Sequence, residues 1–225
     1  MQSKADVNRL GQALRDGAVS PESLIALDEY RRSFQPAISE VVEQISRRLG
    51  SGAGGVQRPS KSTPSIVAKL CRQPTLKLTQ IQDIAGMRML LPDRPSQDWF
   101  VGALQGVFPQ AKLVDRRLKP SYGYRAVHLV VLVQDRPVEI QVRTLLQQEW
   151  ADLSENLADV KGHALKYGGG EGDLQRLLTQ ISEDIHQFEI AYSNSNFDQL
   201  IFEATEKQIG AQIDALYRAH MPGWQ

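Results

Sequence analysis

The strictest alternation of apolar and polar positions along the chain lies between residues 138 and 144. The apolar positions are Val138, Ile140 and Val142, and the polar positions are Glu139, Gln141 and Arg143. Because successive side chains of a strand point to opposite faces, this pattern predicts a strand with one face on a core. A carboxylate, an amide and a guanidinium in a row suit a ligand that carries phosphates and a metal ion. An ordinary half-exposed sheet is the other interpretation of the same pattern.

A second extended run precedes this strand, over residues 126–133, and four residues link the two runs. This arrangement predicts an antiparallel hairpin. With Val133 paired to Val138, His128 is expected opposite Arg143 on the polar face. Proline and glycine interrupt the chain just upstream and are expected to leave a tyrosine, Tyr124, at the edge of that face.

Helical periodicity flanks these strands on both sides. Helices are predicted over residues 5–16, 22–34, 36–49, 65–71, 97–107, 145–161, 174–188 and 197–217, and further strands over 81–91 and 111–118. The glycine-rich segments 50–55 and 168–170 are predicted to be a flexible break and a linker. Strands that alternate with helices, between helical ends, predict one mixed-sheet α/β (α+β) domain wrapped by terminal helices.

The composition narrows the class of protein. The chain has 225 residues, 41% of them hydrophobic and 23% charged, with a formal net charge of zero. These are globular values, and they exclude a global positive field that would attract nucleic acid. The one cysteine, Cys71, excludes an internal disulfide and a cysteine-rich zinc site. With a polar start and no long apolar run, we expect a cytoplasmic protein with no membrane partner.

Two carboxylates and several cations could build a phosphate site. Asp83 and Glu139 are placed at or on strands of one sheet, where together they could hold Mg²⁺. Lys61, Lys69, Arg72 and Arg88 could bind a triphosphate and stabilise charge on a transferring group. Tyr124 could stack a base. Because no serine or cysteine has the context of a nucleophile, the attacking group would belong to the substrate, with Glu139 as metal ligand or general base. Scattered acids and bases on an ordinary soluble protein remain the alternative.

Five motifs in order resemble the RelA/SpoT synthetase family. They are Arg-Pro-Ser-Lys-Ser-Thr-Pro-Ser-Ile-Val-Ala-Lys-Leu (58–70), Asp-Ile-Ala-Gly-Met-Arg (83–88), Gly-Tyr-Arg-Ala-Val-His (123–128), Glu-Ile-Gln-Val-Arg-Thr (139–144) and Trp-Ala (150–151). The family writes Arg-x-Lys in the first motif, whereas this chain has two residues between Arg58 and Lys61. Lys61 stays in register with Lys69, so Lys61 is the more secure match.

The resemblance implies a pyrophosphokinase, which moves the β,γ-pyrophosphate of ATP to a 3′-hydroxyl and releases AMP. It also implies a nucleotidyltransferase-like mixed sheet of about five strands, with extra helices at both ends. Asp83 and Glu139 match the catalytic and magnesium carboxylates. The ATP-binding set would be Lys61, Lys69, Arg72 and Arg88, with Arg116 or Arg117 beside the adenine. The acceptor set would be Tyr124, His128, Gln141 and Arg143.

The acceptor is less closely defined by the resemblance. Family members make (p)ppGpp from GDP or GTP, but residues 120–128 and 146–155 are closer to the toxic small alarmone synthetases. Those enzymes modify the 3′-CCA end of tRNA and are held by an antitoxin. We therefore expect a tRNA acceptor and a possible antitoxin partner, with GDP or GTP as the alternative acceptor. The oligomeric state stays open.

The chain has no His-Asp dipeptide, so no hydrolase activity is expected beside the synthetase. The predicted organisation is a helical segment over 1–50, a synthetase core over 56–165 and helices over 172–220 that pack on the core, as a single domain overall. Two other classes stay open: a catalytically inactive nucleotide- or RNA-binding module, and an ordinary nucleotidyltransferase that releases pyrophosphate.

Overall fold

The structure is a computed structural model that describes residues 3–50, 56–57, 61–193 and 199–221. Its helices are α1 (Lys4–Arg15), α2 (Pro21–Arg32), α3 (Gln35–Leu49), α4 (Thr63–Arg72), α5 (Arg94–Val107), α6 (Leu145–Lys161), α7 (Gly172–Ser193) and α8 (Gln199–His220). Short 3-10 helices cover Leu78–Gln80 and His163–Tyr167. Residues 51–55 of the break predicted over 50–55, and the residue Arg58, lie outside the described residues.

Five strands form one sheet in the order β1-β2-β5-β4-β3. They are β1 (Val56–Gln57), β2 (Ala85–Leu91), β3 (Lys112–Asp115), β4 (Val127–Val133) and β5 (Arg136–Thr144). β1 is antiparallel to β2, with Val56 opposite Arg88. The predicted mixed sheet of about five strands, flanked by helices, is confirmed.

The chain forms two compact units, which interleave along the sequence. Unit 1 comprises residues 1–89, 103–113 and 128–141, and unit 2 comprises residues 90–102, 114–127 and 142–225. Within unit 1, α1 packs on α4 and on the first 3-10 helix, so closely that a Cβ on Gly11 would lie 2.6 Å from Cβ of Leu78. The guanidinium of Arg136 lies over the rings of Tyr30 and Phe34, 5.3 and 4.9 Å from their centroids.

Unit 2 has its own core, between α6, α7 and α8. Trp150 is buried there, and its Nε1 donates a hydrogen bond of 2.7 Å to the carbonyl of Leu178. Burying the aromatic ring while pairing its one polar atom avoids the cost of an unsatisfied donor. Two apolar residues of these helices are about half exposed, Val160 at 49% and Leu177 at 48%. The predicted segments 1–50, 56–165 and 172–220 stay predictions.

The hairpin differs from its prediction in the length of its link. Its turn is Gln134-Asp135 alone, with φ of 49° and 59°, because β5 already begins at Arg136. A two-residue turn with positive φ at both positions places Val133 opposite Arg136, so the predicted pairing of Val133 with Val138 is wrong. The apolar half of the pattern is confirmed, since Val138, Ile140 and Val142 are fully buried, but the polar positions Gln141 and Arg143 are buried too. Two other strands are shorter than predicted. β2 covers residues 85–91, where a strand was predicted over 81–91, and β3 covers residues 112–115, where one was predicted over 111–118.

Candidate active site

Two lysines bind the Asp83 carboxylate in unit 1. Nζ of Lys61 lies 2.9 Å from Oδ2 of Asp83, and Nζ of Lys69 lies 2.8 Å from Oδ1. Lys69 comes from α4, a helix whose N-cap Ser62 and first-turn proline are typical start signals. Lys61 precedes that helix, and its backbone N–H donates to the carbonyl of Ile84, beside Asp83. Local helix capping and a backbone contact thus bring both cations to one carboxylate.

This contact keeps Asp83 ionised. Burial opposes the charged form, but the charges and hydrogen bonds of Lys61 and Lys69 outweigh it and lower the pKa of Asp83 to about 2. The three side chains keep 17 to 23% of their surface exposed. They are therefore desolvated enough for strong pairing, and yet a ligand in solvent can reach them.

The Glu139 carboxylate on β5 is also held at both oxygens. Nδ1 of His128 lies 2.9 Å from Oε1, and Nε2 of Gln141 donates to Oε2 over 2.7 Å. Burial raises the pKa of Glu139, but the hydrogen bond and charge of His128 and the Gln141 amide more than offset this, so its pKa is lowered. The polar face of this strand therefore supports an ionised carboxylate, and 13% of the Glu139 side chain remains exposed.

The two carboxylates are close enough to interact. The negative charge of Asp83 acts to raise the pKa of Glu139, as expected for two neighbouring acids, although the partners of Glu139 lower that pKa overall. A glycine in the second motif contributes to the approach, because a Cβ on Gly86 would lie only 2.6 Å from the carbonyl oxygen of Glu139. Any side chain at position 86 would push β2 away from β5 at this point.

The donor set of these two acids fits Mg²⁺. Magnesium in proteins is usually held by one or two carboxylates, with substrate phosphates and water completing the shell. Among the described residues no group of three or more histidine, cysteine, aspartate or glutamate ligands is assembled. Two carboxylates are compatible with a cation that arrives with a nucleotide.

Two further cations of the predicted ATP set belong to the same unit. Arg88 is half-buried on β2, five positions after Asp83, and Arg72 is exposed at the end of α4. The structure thus forms two groups of direct contacts within unit 1. Lys61 and Lys69 contact Asp83, and His128 and Gln141 contact Glu139. Arg72 lies on α4 with Lys69, and Arg88 lies on β2, the strand that follows Asp83. The roles of both arginines stay predictions.

Tyr124 and Arg143, of the predicted acceptor set, pair with each other in unit 2. Nη2 of Arg143 donates to the Tyr124 hydroxyl over 2.6 Å, and its guanidinium carbon lies 4.9 Å from the ring centroid. Gln148 accepts from the same guanidinium over 2.8 Å. The arginine is 5% exposed and the tyrosine is half-buried, so the ring is held at a fixed orientation.

Arg116 and Arg117 have opposite environments, although the sequence predicted one or the other beside adenine without distinguishing them. Arg117 is buried and bound to Asp115, Asp98 and Gln97, with Nη2 lying 2.6 Å from Oδ2 of Asp115. The side chain of Arg116 is exposed, and its backbone N–H donates to the carbonyl of Ala126. The sequence gives no way to tell these neighbours apart, because the difference lies in which face of the chain each occupies.

A buried polar network in unit 2 was not predicted from the sequence. Nε2 of Gln147 donates 2.8 Å to Glu189, Thr144 donates to the other oxygen of that carboxylate, and Gln97 donates 2.9 Å to Gln147. Burial raises the pKa of Glu189, which is only 4% exposed. Glutamines in a helical pattern read as surface positions, so only the packing of α6 and α7 reveals this network.

Arg125 was also missed. Its Nε donates 3.0 Å to Ser182, its Nη2 lies 2.6 Å from Oε2 of Glu183, and its Nη1 donates to the carbonyl of Arg117. Ser182 in turn donates to the carbonyl of Gly123. α7 thereby holds the second half of the loop of residues 116–126, and Arg125 connects that half to Arg117. A single arginine next to Tyr124 was the one sequence feature that could have indicated this contact.

Part of the chain matches a known family model. Residues 58–158 match the model of a region found in RelA/SpoT proteins. The chain contains a RelA/SpoT region. The resemblance carried by the five sequence motifs is therefore confirmed. This region covers every residue of the predicted site.

Two relatives align with most of this chain but with only part of their own length. Two uncharacterised proteins, one of Mycobacterium tuberculosis and one of Mycobacterium bovis, are each 37% identical to this chain over 166 residues. The aligned stretch is 72% of this chain and 60% of each relative, so the chain spans about 60% of their length. The crystal structure of small alarmone synthetase 1 from Bacillus subtilis matches with a TM-score of 0.53 and 23% identity, over 80% of this chain and 99% of that chain. This likeness shows a common fold and confirms the predicted fold class.

None of the described helices is both long enough and apolar enough to cross a membrane.

Proposed function

We propose that the RelA/SpoT region is an ATP-dependent pyrophosphokinase. In this reaction the 3′-hydroxyl oxygen of an acceptor nucleotide bonds to the β-phosphorus of ATP, and the bond from that phosphorus to the α,β-bridging oxygen breaks. AMP leaves with that oxygen, and the proton of the hydroxyl passes to a base. The observation that carries the proposal is the pair of ionised carboxylates in unit 1, Asp83 and Glu139, each held by its own polar partners.

Lys61 and Lys69 serve as donors to the triphosphate in this proposal. Both ammonium groups sit on a carboxylate whose pKa they lower, so they are charged and close to one another. An incoming polyphosphate offers them stronger acceptors than one carboxylate. When bound, Mg²⁺ held by Asp83 and Glu139 would supply charge neutralisation on the phosphate oxygens. Exchange of the lysines from Asp83 to phosphate leaves that carboxylate available as a ligand.

Glu139 is the proposed base or metal ligand for the 3′-hydroxyl. Its lowered pKa keeps it ionised at neutral pH, as either role requires. His128 and Gln141 orient the two oxygens and stabilise the charge. The ATP set also includes Arg72 and Arg88. Of the arginines at 116 and 117, the exposed Arg116 is the better candidate beside adenine, because Arg117 is committed to carboxylates.

The proposed acceptor is the 3′-CCA end of tRNA, bound with Tyr124 and Arg143 at the accepting nucleotide. A toxin that is neutralised by an antitoxin in the cytoplasm is the corresponding biological role. GDP or GTP is the alternative acceptor, which would make the protein a (p)ppGpp synthetase. Two observations support tRNA. The sequences of residues 120–128 and 146–155 resemble those of the toxic small alarmone synthetases, and the pair of Tyr124 and Arg143 can stack a base.

The deciding experiment incubates the protein with ATP labelled at the β- and γ-phosphates, and with GDP, GTP or deacylated tRNA in turn. Transfer of label with stoichiometric AMP release is expected, and release of pyrophosphate in place of AMP would identify an ordinary nucleotidyltransferase. Label on guanine nucleotide alone would overturn the tRNA acceptor. Nucleotide binding without transfer to any acceptor would favour the inactive binding module.

Glu139→Gln provides the residue-level test. This change keeps the size of the side chain and removes the charge, so transfer should fall by about 10³-fold or more while the fold is retained. Glu43→Gln is the matched control, since Glu43 is an exposed glutamate of α3 in the same unit. Circular dichroism spectra should be alike for both variants. Full turnover by Glu139→Gln would remove this carboxylate from the mechanism.

A further inference from the structure

The loop before Tyr124 contains a second tyrosine in a strained backbone conformation. Ser121 and Tyr124 exchange backbone hydrogen bonds of 3.0 and 3.3 Å, so residues 121–124 form a tight turn. Its central residues are Tyr122, with φ of 55°, and Gly123, with φ of 91°. Positive φ at both central positions belongs to the turn type in which asparagine, aspartate or glycine is preferred at the first of them. A bulky tyrosine there is an outlier that the turn itself does not need.

The Tyr122 ring is held in place by a glycine of a distant loop. An ideal Cβ on Gly168 would lie 2.3 Å from Cε1 of the Tyr122 ring, so the ring rests directly on that glycine backbone. Gly168 has φ of 79° and ends the second 3-10 helix, so the segment predicted as a linker acts as a platform. Nε2 of Gln175 also donates 3.3 Å to the Tyr122 carbonyl. One contact to the ring and one to the backbone carbonyl thus restrain Tyr122, which is still 53% exposed.

Tyr122 lies in the same turn as Tyr124, so the two tyrosines can bind neighbouring bases. The two tyrosines are two residues apart in one turn of unit 2, so their Cα atoms are within about 7 Å. The same loop carries exposed cations at Arg116 and Lys119. Two aromatic rings with adjacent exposed cations are the arrangement by which proteins bind single-stranded nucleic acid, through base stacking and backbone charge. A mononucleotide has only one base to stack.

We infer that Tyr122 forms a second base-stacking subsite, which binds the nucleotide next to the accepting one and so selects a single-stranded RNA 3′ end over a mononucleotide. The inference rests on the proposed function for the acceptor role of Tyr124. The strain at Tyr122 is retained because the ring binds substrate, since any turn-forming residue would relieve it. Gly168 is a positioning residue that keeps the ring on its platform.

The test measures binding, so that it does not depend on turnover. A fluorescein-labelled RNA trinucleotide CCA is titrated with the full chain by fluorescence anisotropy, and AMP and GDP are used as competitors. Tyr122→Asn, which suits the turn, should weaken CCA binding roughly tenfold or more, as expected for the loss of one base stack. Tyr122→Phe, which keeps the aromatic ring, should bind CCA as tightly as the unaltered protein. Gly168→Ala should weaken CCA binding while Tyr122 is still present, because the new Cβ displaces the ring.

The control is Trp99→Gln, which removes another aromatic side chain of unit 2 that is 65% exposed. It should leave CCA binding unchanged. Equal CCA affinity in Tyr122→Asn and the unaltered protein would overturn the inference, as would GDP binding that is tighter than CCA binding. The proposed function fails separately, when labelled ATP gives no transfer to any acceptor. Transfer to GDP with no effect of Tyr122→Asn on CCA would leave the pyrophosphokinase standing and refute the subsite.

Discussion

Nδ1 of His128 lies 2.9 Å from Oε1 of Glu139, on neighbouring strands of the hairpin. This contact helps to lower the pKa of Glu139 against the opposing effect of its burial. In His128→Ala the pKa of Glu139 should therefore rise, and the acidic limb of the kcat/KM profile should move to higher pH. A purely structural histidine would reduce activity at all pH values without moving that limb.

His163→Ala is the control for this measurement, because His163 is an exposed histidine in unit 2. Its profile should match that of the unaltered protein. An acidic limb that stays in place in His128→Ala would contradict the assignment of Glu139 as the group that must be ionised.

The stability of unit 1 should depend on pH through Asp83. Its folded pKa of about 2 lies below the ordinary value of 3.8, so its contribution is present above pH 3.8 and is lost as the pH falls towards 2. A difference of this size corresponds to about 2 kcal/mol at neutral pH. Asp83→Asn should lose about that much, measured by urea unfolding at pH 7, and the deficit should shrink in a series from pH 4 to pH 3.

The control for Asp83 is Asp135→Asn, an exposed position of the hairpin turn where asparagine suits the positive φ. It should have little effect at any pH. A deficit in Asp83→Asn that stays constant down to pH 3 would mean that packing, and not the ion pairs with Lys61 and Lys69, sets the stability there.

The apolar half of the β5 pattern could be predicted, but its register could not. Val138, Ile140 and Val142 are buried because alternation alone decides which face a residue occupies. The turn was misplaced because Arg136-Pro137 resembles a chain break, whereas Gln134 and Asp135 adopt positive φ without a glycine to indicate it. Registers depend on such turn geometry, which composition specifies weakly.

In the candidate site, too, the sequence indicated the types of residue but not which residues contact each other. The sequence predicted that Lys61, Lys69 and Asp83 belong to one phosphate site. It did not indicate that both lysines bind that carboxylate. The three positions are separated along the chain and come together only in the folded structure. The α7 contacts to Arg125 were likewise invisible, since Ser182 lies 57 residues away along the chain.

Arg116 and Arg117 should separate substrate binding from stability. Arg117→Ala should destabilise the protein by about 1–3 kcal/mol, because Asp115 and Asp98 lose a buried partner. Arg116→Ala should leave the melting temperature unchanged and raise the KM for ATP, as expected for an exposed residue beside adenine. Thermal melting and ATP-dependent kinetics on both variants make the comparison. The reverse result, a raised KM in Arg117→Ala with unchanged melting, would exchange the two roles.

Tyr122 should show an inverse relation between stability and binding. Relief of positive φ at a bulky residue is worth about 1 kcal/mol, and the 53% exposed ring buries too little surface to offset it. Tyr122→Asn is therefore expected to be more stable than the unaltered protein in urea unfolding, while Tyr122→Phe, which keeps both the ring and the strain, should not change. A loss of stability in Tyr122→Asn would show that packing on Gly168 outweighs the backbone strain, and the tyrosine would then be explained by structure alone.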